Sequence, residues 1–387
     1  MDMMRKSFLV LMGLMMMGFI AKAQDDYNVI STAVPSMIIA PDARSAGMGD
    51  IGVSTSPDVY SMHWNSAKYA FIQDDFSIGL AYTPWLRKLV PDMNIAYLAV
   101  SKRMSPKSTI AASLRYFNLG DINFRGSNNE DLGTYRPNEF SIDVCYSRKL
   151  GDYFSAAVAG RFIYSDITQG QGNYTTPAWS VAADVSVYYQ RPIYFSTIDG
   201  EFSWGVSITN MGSKMSYSNA NSRTDFIPTN LRLGPSIKLN IDEFNSIALA
   251  VDFNKLLVPT PDPADSTKAW QNYSMIEGMI KSFYEAPGGF SEKLKEITIG
   301  IGAEYWYNNV FSVRAGFFHE AKMKGNRRYL TFGAGLRYNV FAIDVSYLVP
   351  VNNTATSGTN PLEGTLRFNL AFNINKWGAN TKLESVD

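Results

Sequence analysis

The sequence has one cysteine, two histidines and no surplus of either charge. Cys145 alone can form no disulfide within the chain, and one Cys with His63 and His319 is too small a donor set for the common zinc sites. The 35 basic and 35 acidic side chains cancel, which leaves no electrostatic case for nucleic acid. Cys145 lies inside an alternating strand pattern and reads as a packing residue. Neither histidine stands in a motif resembling a nucleophile beside its base, so catalysis is not expected. Long apolar runs are also missing. The stretch Phe8–Ile20 is too short to span a bilayer, but Arg5 and Lys6 precede it and Ala21-Lys22-Ala23 follows, so residues 1–23 read as a secretory signal peptide. The mature chain is then expected to begin near Gln24, with no Cys at the cleavage point to carry a lipid.

What the chain does have is glycine and aromatics: 29 Gly, 23 Phe, 22 Tyr and 7 Trp. One glycine cluster, GMGDIG at 47–52, fits the G-x-G-x-x-G pattern of dinucleotide sites, and Asp74 and Asp75 lie where a ribose-binding acid would stand. Such a site needs a buried parallel strand before the glycines and a helix after them. Here Pro35 and Pro41 bracket only a short apolar run upstream, and VSTSPDVYS downstream discourages a helix. No cofactor is expected, and the glycines read as close packing and positive φ in a turn-rich segment.

Beyond residue 75 a period of two dominates. In EITIGIGAEYWY (296–307) Ile297, Ile299, Ile301, Ala303, Tyr305 and Tyr307 share one face, and Thr298, Gly300, Gly302 and Glu304 the other. Strands of this kind are expected at 75–83, 93–103, 108–118, 138–149, 153–165, 178–190, 201–210, 228–240, 244–254, 296–307, 310–319, 329–338, 340–349 and 364–374, an even number. Their connections alternate. Those at 103–108, 149–153, 240–244, 308–310 and Asn339 are tight, whereas 119–137, 166–177, 211–227, 255–295, 320–328 and 350–363 run long; only 191–201 is long for its parity. The non-apolar faces carry isolated charges of both signs, among them Arg115, Asp143, Arg161, Asp184, Arg232, Lys238, Asp252, Glu304, Arg314, Arg337, Asp344 and Arg367. A soluble sheet protein would also alternate, but these features together predict an all-β, 14-stranded antiparallel transmembrane outer-membrane β-barrel over 75–374, with short turns and termini, including a 375–387 tail, in the periplasm. Residues 24–74, too long for a linker and rich in Gly, Pro, Ser and Asp, are expected to start on the periplasmic side and fold into the lumen as a plug.

The run SAGMGDIGVSTSPDVYSMHWNSAKYAF resembles the hatch of the FadL-like outer-membrane barrels: a GMG turn, a small-residue stretch with Asp, then an aromatic before Asn-Pro-Ala. On that pattern Gly47, Gly49, Gly52, Trp64 and Asn65 are the hatch residues, and Ser66 departs from it by replacing the Pro. Within that superfamily the chain resembles the PorV barrels of the type IX secretion system. The likeness is carried by IAPDARSAGMGDIGVSTSPDV, YTPWLRKLVPDMNIAYLA (82–99), LRYFNLGDI (114–122), PNEFSIDVCYSRKL (137–150) and IPTNLRLG (227–234). The resemblance implies a sealed barrel that takes folded cargo, recognised by a C-terminal signal domain, from the large translocon barrel to a surface attachment complex containing a sortase-like peptidase. The wider superfamily implies an alternative, transport of small hydrophobic molecules through the barrel wall.

Two outer loops carry apolar side chains suited to covering the barrel mouth, to outer-membrane lipid or to a protein partner. One holds Trp85, Leu86, Leu89 and Val90. The other, 255–295, is expected to contain a helix whose stripe is Trp270, Tyr273, Ile276, Met279, Ile280 and Phe283, ended by Pro287-Gly288-Gly289.

Overall fold

A computed structural model describes residues 27–125, 128–167, 176–195, 198–218, 224–351 and 360–375; the expected signal peptide and all but the first residue of the expected tail lie outside them. Alternating small and apolar residues produce sixteen strands: β1 (Phe76–Pro84), β2 (Asn94–Ser105), β3 (Ser108–Asn118), β4 (Ile122–Arg125), β5 (Asp131–Tyr135), β6 (Asn138–Lys149), β7 (Phe154–Asp166), β8 (Ala178–Phe195), β9 (Ile198–Gly212), β10 (Asn230–Asn240), β11 (Asn245–Leu256), β12 (Ile297–Tyr307), β13 (Phe311–His319), β14 (Arg328–Tyr338), β15 (Phe341–Pro350) and β16 (Leu366–Ile374). All but β4 and β5 pair with their neighbours into one closed antiparallel barrel of fourteen strands, and β1 meets β16 at the seam. The expected barrel is the one observed. Among the described residues no helix is long and apolar enough to cross a membrane.

Each wall strand has an outer face that is exposed and apolar and an inner face that is buried. In β7, Val158 and Phe162 point out while Ala157, Ala159, Arg161 and Ile163 point in. Exposed aromatics next to the tight turns, including Tyr153, Phe244, Tyr307, Phe311, Tyr338 and Phe341, give that end a girdle suited to a membrane interface.

Two connections differ from expectation. The long link 191–201 is mostly sheet, because β8 runs on past the start of β7 and stays paired with β9 as far as Phe195 and Ile198, while β9 pairs with β10 as far as Asp199. In the loop 119–137, β4 and β5 form a two-stranded ribbon outside the barrel. Its alternation was too short to stand out against the surrounding polar residues.

Within the segment 27–74, residues 33–72 are largely buried inside the barrel, with two α-helical turns, α1 (Ala43–Ala46) and α2 (Ser61–Trp64), and two 3-10 turns, Pro35–Ile38 and Ser66–Phe71. The segment leaves at the short-turn end, where Asp74 lies in a cavity with Asn339. Its first described residues are at the opposite end: Asn28 bonds the carbonyls of Pro261 and Met323, both in long loops. The expectation that the segment starts on the short-turn side therefore needs correction. Strand parity fixes where the segment exits, not where it begins.

Candidate functional site

The hatch is held in the lumen by charges and by missing side chains. Arg44, in α1, donates to Glu304 on β12 through Nε at 2.9 Å and Nη2 at 2.8 Å, and to Asp58 at 2.8 Å. Glu304 also accepts from Arg314 at 2.8 Å, which in turn reaches Asp344 at 2.7 Å. On the other side of the lumen Arg161 bonds Asp143 and Asp184. Arg115 donates to the carbonyls of Ser36 and Ile39 and to His63 Nδ1, while Arg232 donates to the His63 carbonyl. Buried charges are tolerated only when paired and hydrogen-bonded; these pairs cross from hatch to wall, brace the hatch internally at Arg44–Asp58, or join wall strands, Arg314–Asp344 reaching across β14.

GMGDIG lays its backbone directly against the wall. Gly49 has φ 81°, and a Cβ there would stand 2.8 Å from the Phe317 carbonyl oxygen and 2.9 Å from that of Ile301. The wall answers with Gly300, Gly302 and Gly316, whose absent side chains make room for Met48, Gly49 and Ile51. Gly47 meets Gly333 in the same way. The amides of Gly52 and Val53 donate to Asp252 at 2.7 and 2.9 Å. These peptide amides grip a wall carboxylate, and the Gly49 amide donates to Thr331 at 2.8 Å.

Trp64 covers Gly52 and donates from Nε1 to Asp42 at 2.7 Å, and the same carboxylate caps α1 by accepting from Ser45 N. Asn65 bonds the carbonyls of Val53 and Val187 at 2.9 Å each. Ser66, where the hatch pattern has Pro, shares a hydrogen bond with Ser186 at 3.0 Å. Tyr60 places its hydroxyl against the carbonyls of Leu80 and Leu370, a pair that face each other across the β1–β16 seam. Cys145 is buried with Met62 and Tyr69 between hatch and wall.

Sequence reasoning missed Asp42, Arg44, Asn28 and Lys68, whose buried ammonium donates to the Gly52 carbonyl at 2.8 Å. A signal existed for Arg44, a charge inside the otherwise small-residue run IAPDARSAG, but its partner Glu304 lies 260 residues away.

The two apolar outer loops are far apart, with four strands between β1 and β12 and six between β2 and β11. In the first loop Leu89 is exposed, whereas Trp85, Leu86 and Val90 are half-buried; Trp85 lies under Arg367, and Val90 packs at Gly120. In the long loop the helical region is broken into α3 (Met275–Lys281) and α4 (Gly289–Lys295), so Pro287-Gly288-Gly289 separates two helices where a single stop was expected. Gly289 at φ 61° resets the chain to start the second. Residue α3 Gly278 sits against Phe226 and Pro259, which turns Ile276, Ile280 and Phe283 outward, 64%, 57% and 50% exposed. Tyr284, Phe290 and Leu294 are exposed as well. Trp270, Tyr273 and Met279 are half-buried, and Lys281 stands over the Tyr273 ring at 3.6 Å.

A cavity of about 940 Å³ opens at the short-turn end between hatch and wall, lined by Arg44, Asp58, Tyr60, Arg337 and Asp344 among others. Among the described residues the other notable cavity is only about 20 Å³.

Residues 22–263, more than half of the chain, match the family described as "Type IX secretion system protein PorV". The chain belongs to the PorV family. No curated protein matches it. Among solved structures it is similar to the toluene transporter TbuX of Ralstonia pickettii, with 14% identity, 87% of this chain and 98% of that chain covered, and a TM-score of 0.48. It is also similar to the P. putida toluene transporter TodX, with 10% identity, 88% and 100% coverage and a TM-score of 0.48. A Pseudomonas aeruginosa FadL homologue has 10% identity, 87% and 100% coverage and a TM-score of 0.42. The barrel described above rests on its own strand pairing. PorV membership places it as an outer-membrane barrel of the type IX system.

Proposed function

We propose that this barrel accepts cargo bearing a C-terminal signal domain from the type IX translocon and delivers it to a surface attachment complex with a sortase-like peptidase, without itself catalysing a reaction. The long loops then face outward and the tight turns the periplasm. The observation that carries this reading is the combination of a lumen bolted shut by Arg44–Glu304 and its neighbours with an apolar surface held outward on α3 and α4. A filled lumen leaves no path for a folded protein, so cargo must be handled from the rim. Exposed Ile276, Ile280 and Phe283 suit a protein partner better than water.

Replacing those three residues with Ser should leave the amount of barrel unchanged and reduce cargo at the cell surface. Normal delivery by that variant would reject α3 as the docking element. Transport of small hydrophobic molecules draws its support from the 940 Å³ cavity, but charged Arg44, Asp58, Arg337 and Asp344 line it. A mild-detergent pull-down separates the two: secreted proteins or a very large barrel co-purify if export is right, and bound lipid-like ligand alone if transport is.

A further inference from the structure

The first described residues of the hatch do more than fill space. Asn28 donates from its amide N–H to Met323 O at 3.0 Å, and from Nδ2 to Pro261 O and Glu292 Oε1, both at 2.9 Å. Those acceptors belong to two different long loops, 255–296 and 320–327. Ala33 N reaches a third, donating to Phe226 O at 2.9 Å. Around Asn28 the loops are joined by a buried charge cluster: Lys324 bonds Glu292, Lys255 bonds Glu296 at 2.6 Å, and Lys293 donates to Thr260. Phe226 is also the residue on which α3 sits. Tyr27 and Val29, either side of the buried Asn28, are 60% and 47% exposed.

We infer that residues 27–34 form a strap at the end of a hatch that traverses the lumen; the strap surfaces at the long-loop end and latches the loop carrying α3 and α4. A single chain segment thereby joins Asp74, at the short-turn end, to the surface that would meet a partner. Asn28 is a positioning residue: it touches no cargo, and it fixes the loop through Pro261 and Glu292. That the strap reaches the cell exterior rests on the orientation adopted above, whereas its spanning of the lumen does not.

Two site-specific thiols test this in the full-length protein with Cys145→Ser, which removes the one native thiol. Val29→Cys reports on the strap, and Glu243→Cys, in the exposed tight turn between β10 and β11, reports on the opposite end. With a membrane-impermeant maleimide, Val29→Cys should label on intact cells and Glu243→Cys only after the outer membrane is permeabilised. Labelling of both sites under the same condition would overturn the strap. Labelling with the two sites exchanged would keep the strap and overturn the orientation, and with it the proposed role of the long loops. For the latch, Asn28→Ala should speed tryptic cleavage at exposed Lys268 about fivefold, since two side-chain hydrogen bonds that hold the loop closed are lost. An unchanged cleavage rate, with the barrel still folded by its gel mobility, would overturn it.

Discussion

At Gly49 a backbone turned to φ 81° lies against two carbonyl oxygens of the wall, so Gly49→Ala adds both the left-handed penalty and a steric overlap. It should destabilise the assembled barrel by about 2 kcal/mol or more, read as a lower temperature at which the folded band is lost on a detergent gel. The letters G-x-G-x-x-G were therefore informative about geometry and silent about chemistry. They announce a close backbone approach, and only the partner decides whether that is a pyrophosphate or Gly300, Gly302 and Gly316. Glu296 in the long loop behaves differently because it titrates. Desolvation would raise its pKa, but the hydrogen bonds from Lys255 and Thr260 and the nearby Lys293 hold it below the ordinary value. Glu292 is likewise lowered against desolvation, by Lys324 and by the Gly288 amide. A carboxylate with a depressed folded pKa contributes stability above its unfolded value of about 4.5 and loses it as pH falls through the folded one. Tryptic nicking after Lys268 is beyond reach at such pH, but pepsin cleavage of 255–296 should accelerate below about pH 4.5 in the wild type. It should change less in a Glu292→Gln, Glu296→Gln variant.

Among the elements, the wall strands were legible and the loop elements only partly so. Period-two alternation survives in every strand because one face meets lipid and the other the hatch, and both environments constrain it. The helix stripe Trp270 to Phe283 was legible as amphipathic, but not the direction it would face. A stripe of larger apolar residues is ordinarily turned inward; here small Gly278 and Ser282 make the buried contact. Gly278→Leu should lift α3 from Phe226, where a Cβ alone would come within 2.8 Å, and should raise hydrogen exchange over 275–281 while leaving the barrel strands protected. If protection of α3 is unaltered, the helix is held by something other than this contact.

For the whole molecule, the hatch–wall charge pairs could not be read from sequence, since Arg44 and Glu304, 260 residues apart, become neighbours only when the sheet closes around the hatch. Together they fasten the hatch across the lumen. The purified protein in a planar bilayer should accordingly show no steady conductance, and Arg44→Ala should introduce intermittent openings by leaving Glu304 and Asp58 short of a partner. A large, constant conductance in the wild type would refute the sealed state. Tyr60 adds a constraint in time. Its hydroxyl rests on Leu80 of the first strand and Leu370 of the last, so this contact cannot exist until almost the entire chain has been synthesised and the two edges have met. The hatch, made before the barrel, is thus completed last, and a barrel whose hatch is misplaced reveals the fault at its own seam.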